Sequence, residues 1–419
     1  MSTPIQLPPP ASLSSVRWLA PVSATAETFW ASLQSNIGRI EPFSGHRLAV
    51  LEQLSQAIFQ HPLLRREPAT AALAYWLRAA NLASLRLQWQ KRTPEGSVQV
   101  PAGLVFHITP TNVDTMFVYS WAISFLAGNT NVVRLSAESG ELLTSLVRLI
   151  DETMRSNPGS WAGNFFLTYP HDESITALFS RYCDHRIIWG GDETVARIRA
   201  VPLNPHASER AFASKFSCAV IGVEALAQSS SQTQNDLAER LASDIVPFGQ
   251  KACSSPHLIY WLTDDLEPAK DLVLRFEQLL TRVLAKGLSS QDTAAAVHRI
   301  HQAFTLAADN LGGNAHFLEG LTTLRASSIF DSQRLDVGGS FLTHRFVTQL
   351  SEVTAETNPR TQTISHYGLT DQQLHWLAME AGSRGCDRLM PIGRALEFSP
   401  LWDGFDLWND FCRIIPVSK

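Results

Sequence analysis

From Gly103 onward, short apolar runs alternate with amphipathic helical segments, and this alternation constrains the fold more than any other feature. The apolar runs fall at 104–108, 131–135, 165–169, 187–189 and 218–221. Helical patterns separate them; within Glu141–Arg155, for example, Leu143, Leu146 and Ile150 recur at three- and four-residue spacing. Repeated β-α-β units form parallel sheets with right-handed crossovers. The sequence therefore predicts an α/β fold with a doubly wound parallel sheet.

The turns that follow the predicted strands are the expected ligand-binding positions. In doubly wound sheets, ligands bind beyond the carboxyl ends of the strands, where helix N-termini point. These turns fall at 109–112, 134–139 and 190–192. No G-x-G-x-x-G fingerprint occurs in the chain, which argues against the usual dinucleotide-binding loop without excluding a nucleotide.

The segment 85–100 has a different period. Apolar and polar residues alternate from Leu85 to Trp89, a turn follows at 93–96, and the alternation resumes at Val98. This pattern predicts a projecting β-hairpin. Such a hairpin serves either oligomerisation or no special purpose, and the sequence does not separate the two interpretations.

Composition bounds the remaining possibilities. The chain has 419 residues, 45% of them hydrophobic and 17% charged, which is typical of a globular protein with two or three domains. The net charge of -5 gives no electrostatic reason to expect nucleic acid or an anionic membrane as a partner. The most apolar segment, Met116–Gly128, is shorter than the ~20 residues of a membrane span. The five cysteines show no paired spacing, so no metal site is expected, and residues 1–15 show no signal peptide. A cytoplasmic protein is expected.

Cys253 is the residue best suited to covalent chemistry. It stands four residues after Gly249, and its neighbours Ala252, Ser254 and Ser255 are small, so a substrate carbonyl can approach it. A thiolate that attacks an acyl group splits one difficult transfer into two easier steps. A free cysteine is also commonly a buried structural residue. The local sequence leaves both interpretations open.

Several short motifs follow one another in an order that resembles the aldehyde dehydrogenase superfamily. In chain order they are Thr109-Pro110-Thr111-Asn112, Gly128-Asn129 with Arg134, Gly190-Gly191, Ser214-Lys215, Gly249-Gln250-Lys251-Ala252-Cys253 and Tyr367-Gly368-Leu369. Within the superfamily, the chain is most similar to the acyl-CoA reductase family that supplies fatty aldehyde in bacterial bioluminescence. Three segments carry that closer resemblance, namely Ala252–Pro256, Trp189–Asp192 and Trp402-Asp403-Gly404.

The resemblance covers about residues 100–415 and implies a domain organisation. A nucleotide-binding domain is expected at 1–212, including the hairpin, and an α/β catalytic domain at 213–385. The last segment, 386–419, is expected to pack on the nucleotide-binding domain or on a partner subunit. A homo-oligomer is the implied assembly.

The resemblance also implies a reaction. Cys253 attacks an acyl thioester, delivered by coenzyme A or a carrier protein, and hydride from a reduced nicotinamide converts the acyl-enzyme to an aldehyde. Asn112 donates to the oxyanion together with the backbone N–H of Cys253. On the residues alone, a turn residue or a helix cap is the favoured interpretation of Asn112. His366 is a candidate to protonate the departing thiolate, or it simply packs.

The implied cofactor-binding residues are Thr109, Pro110, Thr111, Arg134, Ser136, Gly190 and Gly191. Arg134 takes the place of a family lysine that contacts the adenosine ribose. Three residues later, where NAD-preferring members carry a glutamate, this chain has Ala137. A cation without a carboxylate beside it favours NADPH over NADH. Against this, Glu138 follows immediately, and a solvated strand-end charge is the other interpretation of Arg134.

Two departures from the superfamily bear on the reaction. Ala211 stands where hydrolytic members carry the glutamate that activates water, which favours thioester reduction over aldehyde oxidation. The Glu-x-Phe-Gly-Pro segment that grips the nicotinamide ribose is missing, and 356–360 does not match it. Oxidation of an aldehyde to an acid and a non-catalytic scaffold role for the hairpin are the alternatives. His107 is expected to pack, and Asp244 is expected to cap or to pair locally.

Overall fold

The computed structural model describes residues 13–36, 41–110, 113–136, 140–157, 159, 162–287, 293–308, 314–326 and 337–418. The chain divides into two compact units. Unit 1 comprises Met1–Ala213 and Phe405–Lys419, and unit 2 comprises Ser214–Gly404. Each unit contains a largely parallel sheet with helices between its strands, so the predicted α/β class is confirmed.

Unit 1 contains a sheet in the order β1-β5-β4-β3-β6-β7. The strands of the unit are β1 (Arg17–Ala20), β2 (Ser97–Pro101), β3 (Leu104–Ile108), β4 (Thr130–Arg134), β5 (Asn164–Thr168), β6 (His185–Trp189) and β7 (Ser208–Phe212). Its helices are α1 (Ala26–Asn36), α2 (Gly45–Gln60), α3 (Pro68–Trp76), α4 (Ala79–Lys91), α5 (Met116–Leu126), α6 (Glu141–Arg155), α7 (Glu173–Tyr182) and α8 (Asp192–Ala200). Only the edge pair β1 and β5 is antiparallel within this sheet.

The central strands of unit 1 are covered on both faces. Every residue of β3, β5 and β6 is buried, and so is every residue of β4 except the last. Strands buried on both faces read as continuous apolar runs, which is why the sequence pattern located them. The chain proceeds from β3 to β5 in one direction and from β6 to β7 in the other. The order therefore reverses between β3 and β6, and this is where doubly wound sheets bind ligands.

The predicted hairpin at 85–100 is wrong in its first half. That half lies within α4, where Leu82 and Leu85 are buried and Trp89 is half-buried, a spacing that places all three on one helical face. The alternation covers too few residues to separate a strand from a helix. The second half, β2, pairs antiparallel with the C-terminal strand Cys412–Pro416. Together these two strands form the ribbon of unit 1, beside the short strand Phe405–Asp406 and the helix Leu407–Phe411.

Unit 2 contains a sheet in the order β10-β11-β12-β9-β8-β13-β14. Its strands are β8 (Phe216–Gly222), β9 (Pro256–Leu262), β10 (Ala315–Leu318), β11 (Leu321–Arg325), β12 (Phe341–Val347), β13 (Thr361–Tyr367) and β14 (Arg388–Pro391), with a short strand at Leu401–Trp402. Its helices are α9 (Val223–Ala227), α10 (Ser231–Ile245), α11 (Leu266–Gly287), α12 (Thr293–Ala308), α13 (Leu350–Glu356) and α14 (Asp371–Ser383). The edge strand β10 is antiparallel to β11, and the remaining neighbours run parallel.

The boundaries of the units differ from the predicted domains at the C-terminal end. Residues 386–404 belong to unit 2, because β14 completes the sheet of that unit beside β13. Only the residues from Phe405 onward group with unit 1. Among the described residues, no helix combines the length and apolarity needed to cross a membrane.

Candidate active site

The turn that carries Cys253 lies at the amino edge of the unit 2 sheet, directly before β9. Within it, Phe248, Gly249 and Gln250 have φ angles of 57°, 59° and 64°. This left-handed conformation suits glycine but is costly for residues with a Cβ atom. The turn therefore depends on contacts that hold Phe248 and Gln250 in place.

Gln250 supplies those contacts through its fully buried carboxamide. Its Nε2 donates to the carbonyl oxygens of Pro256 and Phe341, both at 2.9 Å. Its Oε1 accepts the backbone N–H of Phe341, also at 2.9 Å. The carbonyl of Gly249 in turn accepts the N–H of Gly339 at 2.8 Å. The side chain of Gln250 thus clamps the turn to the first residues of β9 and β12.

Cys253 sits on the outer part of this clamped turn with its side chain half-exposed. The N–H of Ser255 donates to the carbonyl of Ala252 at 2.9 Å, which closes a tight turn around Cys253. The hydroxyl of Ser217 donates to the carbonyl of Cys253 at 2.7 Å and accepts the N–H of Thr363 at 3.1 Å. Both peptide groups that flank the sulfur-bearing residue are therefore held.

The other cysteines are poor nucleophiles by comparison. Cys183, Cys218 and Cys412 are buried, and Cys386 is half-buried. Burial raises the pKa of Cys183 to about 12 and the pKa values of Cys386 and Cys412 to about 11. Burial also raises the pKa of Cys218 well above its usual value. A thiol with so high a pKa forms little thiolate at neutral pH.

The strand registers separate His366 from the turn that carries Cys253, and its role as the acid remains a prediction. His366 lies near the carboxyl end of β13, opposite Val220 of β8, whereas Pro256, just after the turn that carries Cys253, lies opposite Ser217. The three residues from Ser217 to Val220 span about 10 Å along the strand. The neighbouring Tyr367-Gly368-Leu369 motif suggested His366, but that motif belongs to the far edge of the sheet.

In unit 1, the predicted cofactor residues that the structure describes gather at one edge of the sheet. Thr109 and Pro110 follow β3, where the N–H and Oγ1 of Thr109 donate to the carbonyl of Arg134 at 3.2 and 2.9 Å. Arg134 ends β4, and Ser136 lies two residues further on. These positions flank the reversal of strand order between β3 and β6. The predicted residues Thr111 and Asn112 lie outside the described residues.

Gly190 and Gly191 complete this edge after β6. The N–H of Gly190 donates to the carbonyl of Phe212 at 3.1 Å, and Gly191 precedes α8 as its N-cap. The first turn of α8 carries two carboxylates, Asp192 and Glu193. Carboxylates already occupy the positive end of this helix dipole and repel a second anion. The glycine turn is thus better suited to an uncharged part of a ligand than to a phosphate.

Arg134 is the fixed positive charge of this edge. Its guanidinium carbon lies 4.7 Å from the ring centroid of Tyr169, within cation–π range. Its Nε–H is buried and has no hydrogen-bond partner among the described residues. Tyr169 is buried, and burial raises its pKa to about 12, although Arg134 acts in the opposite direction. A guanidinium with a spare buried donor can receive an anionic oxygen.

His107 packs in the interior, as expected, whereas Asp244 binds backbone groups 149 and 151 residues further along the chain instead of capping or pairing locally. His107 is buried between the hydroxyl of Ser120 at 2.8 Å and the carboxamide oxygen of Asn131 at 3.0 Å, and burial lowers its pKa to about 3. Asp244 accepts the backbone N–H groups of Gly393 at 2.6 Å and Ala395 at 3.0 Å. No group of three or more His, Cys, Asp and Glu side chains in the described parts of the chain could hold a metal ion.

The two units, each with a largely parallel sheet, have the architecture of aldehyde dehydrogenases. An oxidoreductase from Marinobacter aquaeolei superposes with a TM-score of 0.65 at 11% identity, covering 93% of this chain and 90% of that chain. Lactaldehyde dehydrogenase from Escherichia coli superposes with a TM-score of 0.60 at 13% identity, covering 93% of this chain and 87% of that chain. At these identities the similarity establishes the fold, and the protein is of the aldehyde dehydrogenase fold class.

Within that class, the chain belongs to the acyl-CoA reductase (LuxC) family, whose model matches residues 26–413. The long-chain acyl-protein thioester reductase of Aliivibrio fischeri is 27% identical over 214 residues, which are 48% of this chain and 42% of that relative. That alignment spans less than half of either protein. The resemblance expected from the motif order is confirmed, and the family is one of enzymes.

Proposed function

We propose that the protein reduces an acyl thioester to the aldehyde, with NADPH as the hydride donor and Cys253 as the acyl carrier. One observation carries the proposal: a half-exposed cysteine on a clamped turn, in a chain of the acyl-CoA reductase family. Covalent capture of an acyl group needs a thiol that the substrate can reach. A rigid turn keeps that thiol in one orientation, which lowers the entropic cost of attack.

The covalent step joins the sulfur of Cys253 to the carbonyl carbon of the substrate. The thiolate attacks that carbon, the bond to the carrier thiol breaks, and the carrier leaves after taking up a proton. The enzyme then holds the acyl group as a new thioester. A reduced nicotinamide, when bound, would supply the hydride to the carbonyl carbon; breaking the carbon–sulfur bond to Cys253 then releases the aldehyde and restores the thiolate.

The negative charge that develops on the carbonyl oxygen is proposed to be stabilised by Asn112 and by the N–H of Cys253. The carbonyl of Ala252 is engaged by the N–H of Ser255. Because the peptide group is trans, the N–H of Cys253 points in the opposite direction to that carbonyl and is equally fixed. One fixed donor of this kind is typically worth about 3 kcal/mol of barrier. The role of Asn112 rests on its motif position alone.

Ala211 supports reduction rather than oxidation of an aldehyde to an acid. It lies in β7 opposite Ile188 of β6, and its methyl group packs against the core of unit 1. A methyl group cannot act as a general base toward water. Nothing at this position therefore promotes hydrolysis of an acyl-cysteine, and the acyl group survives until it is reduced.

Arg134 supports NADPH as the preferred nucleotide. A guanidinium held against Tyr169, with a buried Nε–H that has no partner in the described parts of the chain, suits the 2′-phosphate that distinguishes NADPH from NADH. Thr109, Pro110, Thr111 and Ser136 are proposed to contact the same nucleotide. Gly190 and Gly191 are proposed to let an uncharged part of the nucleotide approach the backbone. In this proposal unit 1 binds the nucleotide and unit 2 carries the catalytic cysteine.

The remaining parts of the proposal concern partners and assembly. Coenzyme A or a carrier protein delivers the acyl group to a cytoplasmic enzyme. The ribbon of unit 1 is the proposed surface for a homo-oligomer. Three apolar side chains of the ribbon, Val98, Ile414 and Ile415, are substantially exposed, and so is the adjacent Val417. Exposed apolar patches often mark protein interfaces. Light scattering that reports a monomer at micromolar concentration would contradict this part.

A panel of acyl thioesters with NADPH tests the central proposal, with absorbance loss and aldehyde formation as readouts. Cys253→Ala is expected to abolish both turnover and the acyl adduct in intact-protein mass spectra. Cys386→Ala, which removes the half-buried cysteine of raised pKa, is the matched control and is expected to retain both. Acid formed from aldehydes with NADP⁺ as the dominant reaction would favour the oxidative alternative. A wild-type protein that forms no acyl adduct and shows no turnover would favour the non-catalytic scaffold role.

A further inference from the structure

The hydroxyl of Ser217 joins three parts of unit 2 at one oxygen atom. It belongs to β8, donates to the carbonyl of Cys253 at 2.7 Å, and accepts the N–H of Thr363 in β13 at 3.1 Å. The side chain of Ser217 is fully buried, so bulk water does not compete for either bond. A hydroxyl can donate one hydrogen bond and accept others, and the Ser217 hydroxyl does both, donating towards Cys253 and accepting from Thr363.

This arrangement fixes the backbone conformation of the nucleophile itself. The peptide group before Cys253 is held by the bond from Ser255 to Ala252, and the peptide group after it is held by Ser217. Each peptide group is planar, so two fixed planes set φ and ψ of the residue between them. The direction of the Cα–Cβ bond, and hence the region that the sulfur can reach, follows from those two angles.

We propose that Ser217 is a positioning residue for acyl transfer, which keeps Cys253 aimed at the thioester carbonyl without touching the substrate itself. This inference rests on the function proposed above. Attack requires the sulfur to approach the carbonyl carbon to about 3–3.5 Å in a defined direction, and a displacement of about 1 Å can lower the rate on the order of a hundredfold. Alkylation by a small reagent requires only an accessible thiolate. Acyl transfer therefore depends on the orientation of the Cys253 side chain, whereas alkylation does not.

Ser217→Ala tests the inference against a matched control, Ser365→Ala. Ser365 lies in β13, the neighbour of β8, and is fully buried like Ser217. Its hydroxyl has no hydrogen-bond partner among the described residues. Each variant removes one buried oxygen from the same sheet, but only the first removes a bond to the nucleophile turn. On the full-length protein, we would measure acylation by octanoyl-coenzyme A from intact mass, alkylation by iodoacetamide across neutral and mildly alkaline pH, and thermal unfolding.

Acylation is expected to fall by about tenfold to a hundredfold in Ser217→Ala, while the alkylation rate and its pH midpoint stay unchanged. Ser365→Ala is expected to retain both reactions. Ser217→Thr, which keeps the hydroxyl, should be acylated faster than Ser217→Ala. Equal acylation of the two alanine variants, a parallel loss of acylation and alkylation, or no gain with threonine would each overturn the inference. A wild-type protein that is not acylated at Cys253 would overturn the proposed function instead.

Discussion

Replacing Gln250 with methionine measures how much the clamped turn contributes to the stability of unit 2. Methionine has nearly the same length and volume, so packing is largely retained while three hydrogen bonds are lost. Two carbonyl oxygens, of Pro256 and Phe341, and the N–H of Phe341 then lose a partner. A buried backbone group left without a partner costs about 1–3 kcal/mol. Because a turn at a sheet edge can relax, the lower part of that range applies, and we expect a loss of about 3–6 kcal/mol.

Urea unfolding monitored by tryptophan fluorescence gives this loss directly, and Gln278→Met provides the control. Gln278 lies on α11 of the same unit and is exposed, so its replacement should change the free energy of unfolding by no more than about 0.5 kcal/mol. Without the clamp, Phe248 and the methionine at position 250 would also leave their left-handed conformation, so turnover should fall with stability. A loss below about 1 kcal/mol, or equal losses in both variants, would refute the clamp.

Two further predictions concern unit 1. Arg134→Ala should raise the KM for NADPH at least tenfold and change the KM for NADH little, because a charge-assisted bond to the 2′-phosphate is lost. The control is Arg148→Ala, which replaces an exposed arginine of α6. Equal shifts in KM for both nucleotides would contradict the assignment of Arg134 to the 2′-phosphate. Burial lowers the pKa values of His107 and His185 to about 3, so only the unfolded chain binds these protons between about pH 3 and 6.5. As the pH falls below about 6.5, the free energy of unfolding therefore decreases by about 1.4 kcal/mol per pH unit for each of these two histidines. Above about pH 6.5 neither histidine lowers it in this way. Urea midpoints at about pH 7 and pH 5 should show this slope, and His185→Asn should reduce it; an unchanged slope in the variant would disprove the assignment.

The buried parallel strands of unit 1 were predictable because their environment imposes a simple composition. A strand covered by helices on both faces must be apolar throughout, as in β3, and it must be followed by a turn. Carboxyl ends of parallel strands share one edge of the sheet. The positions of Thr109, Arg134 and Gly190 at a common edge follow from these two rules, without knowledge of any side-chain contact.

The hydrophobic pattern did not identify strands whose buried residues are polar. The strand β13 reads Thr-Gln-Thr-Ile-Ser-His-Tyr, yet Thr361, Thr363 and Ser365 are buried in the interior of unit 2, where β13 lies between β8 and β14. No local period distinguishes such a strand from a loop, and the segment 346–365 could not be assigned from sequence. In α4 the opposite error arose, since five alternating residues from Leu85 fit a strand as well as a helix.

The turn that carries Cys253 shows why a motif could be recognised although the contacts that hold it could not be predicted. Gly249 and Cys253 are local signals, because a glycine turn and a cysteine among small residues can be read within one short stretch. The role of Gln250 depends on Phe341, 91 residues further along the chain, and that of Ser217 on Thr363, 146 residues away. Such pairs exist only once the strands are in register. The sequence can therefore name Cys253 as the proposed nucleophile, whereas the residues that hold its turn become visible only when the sheet of unit 2 brings β8, β12 and β13 to one edge.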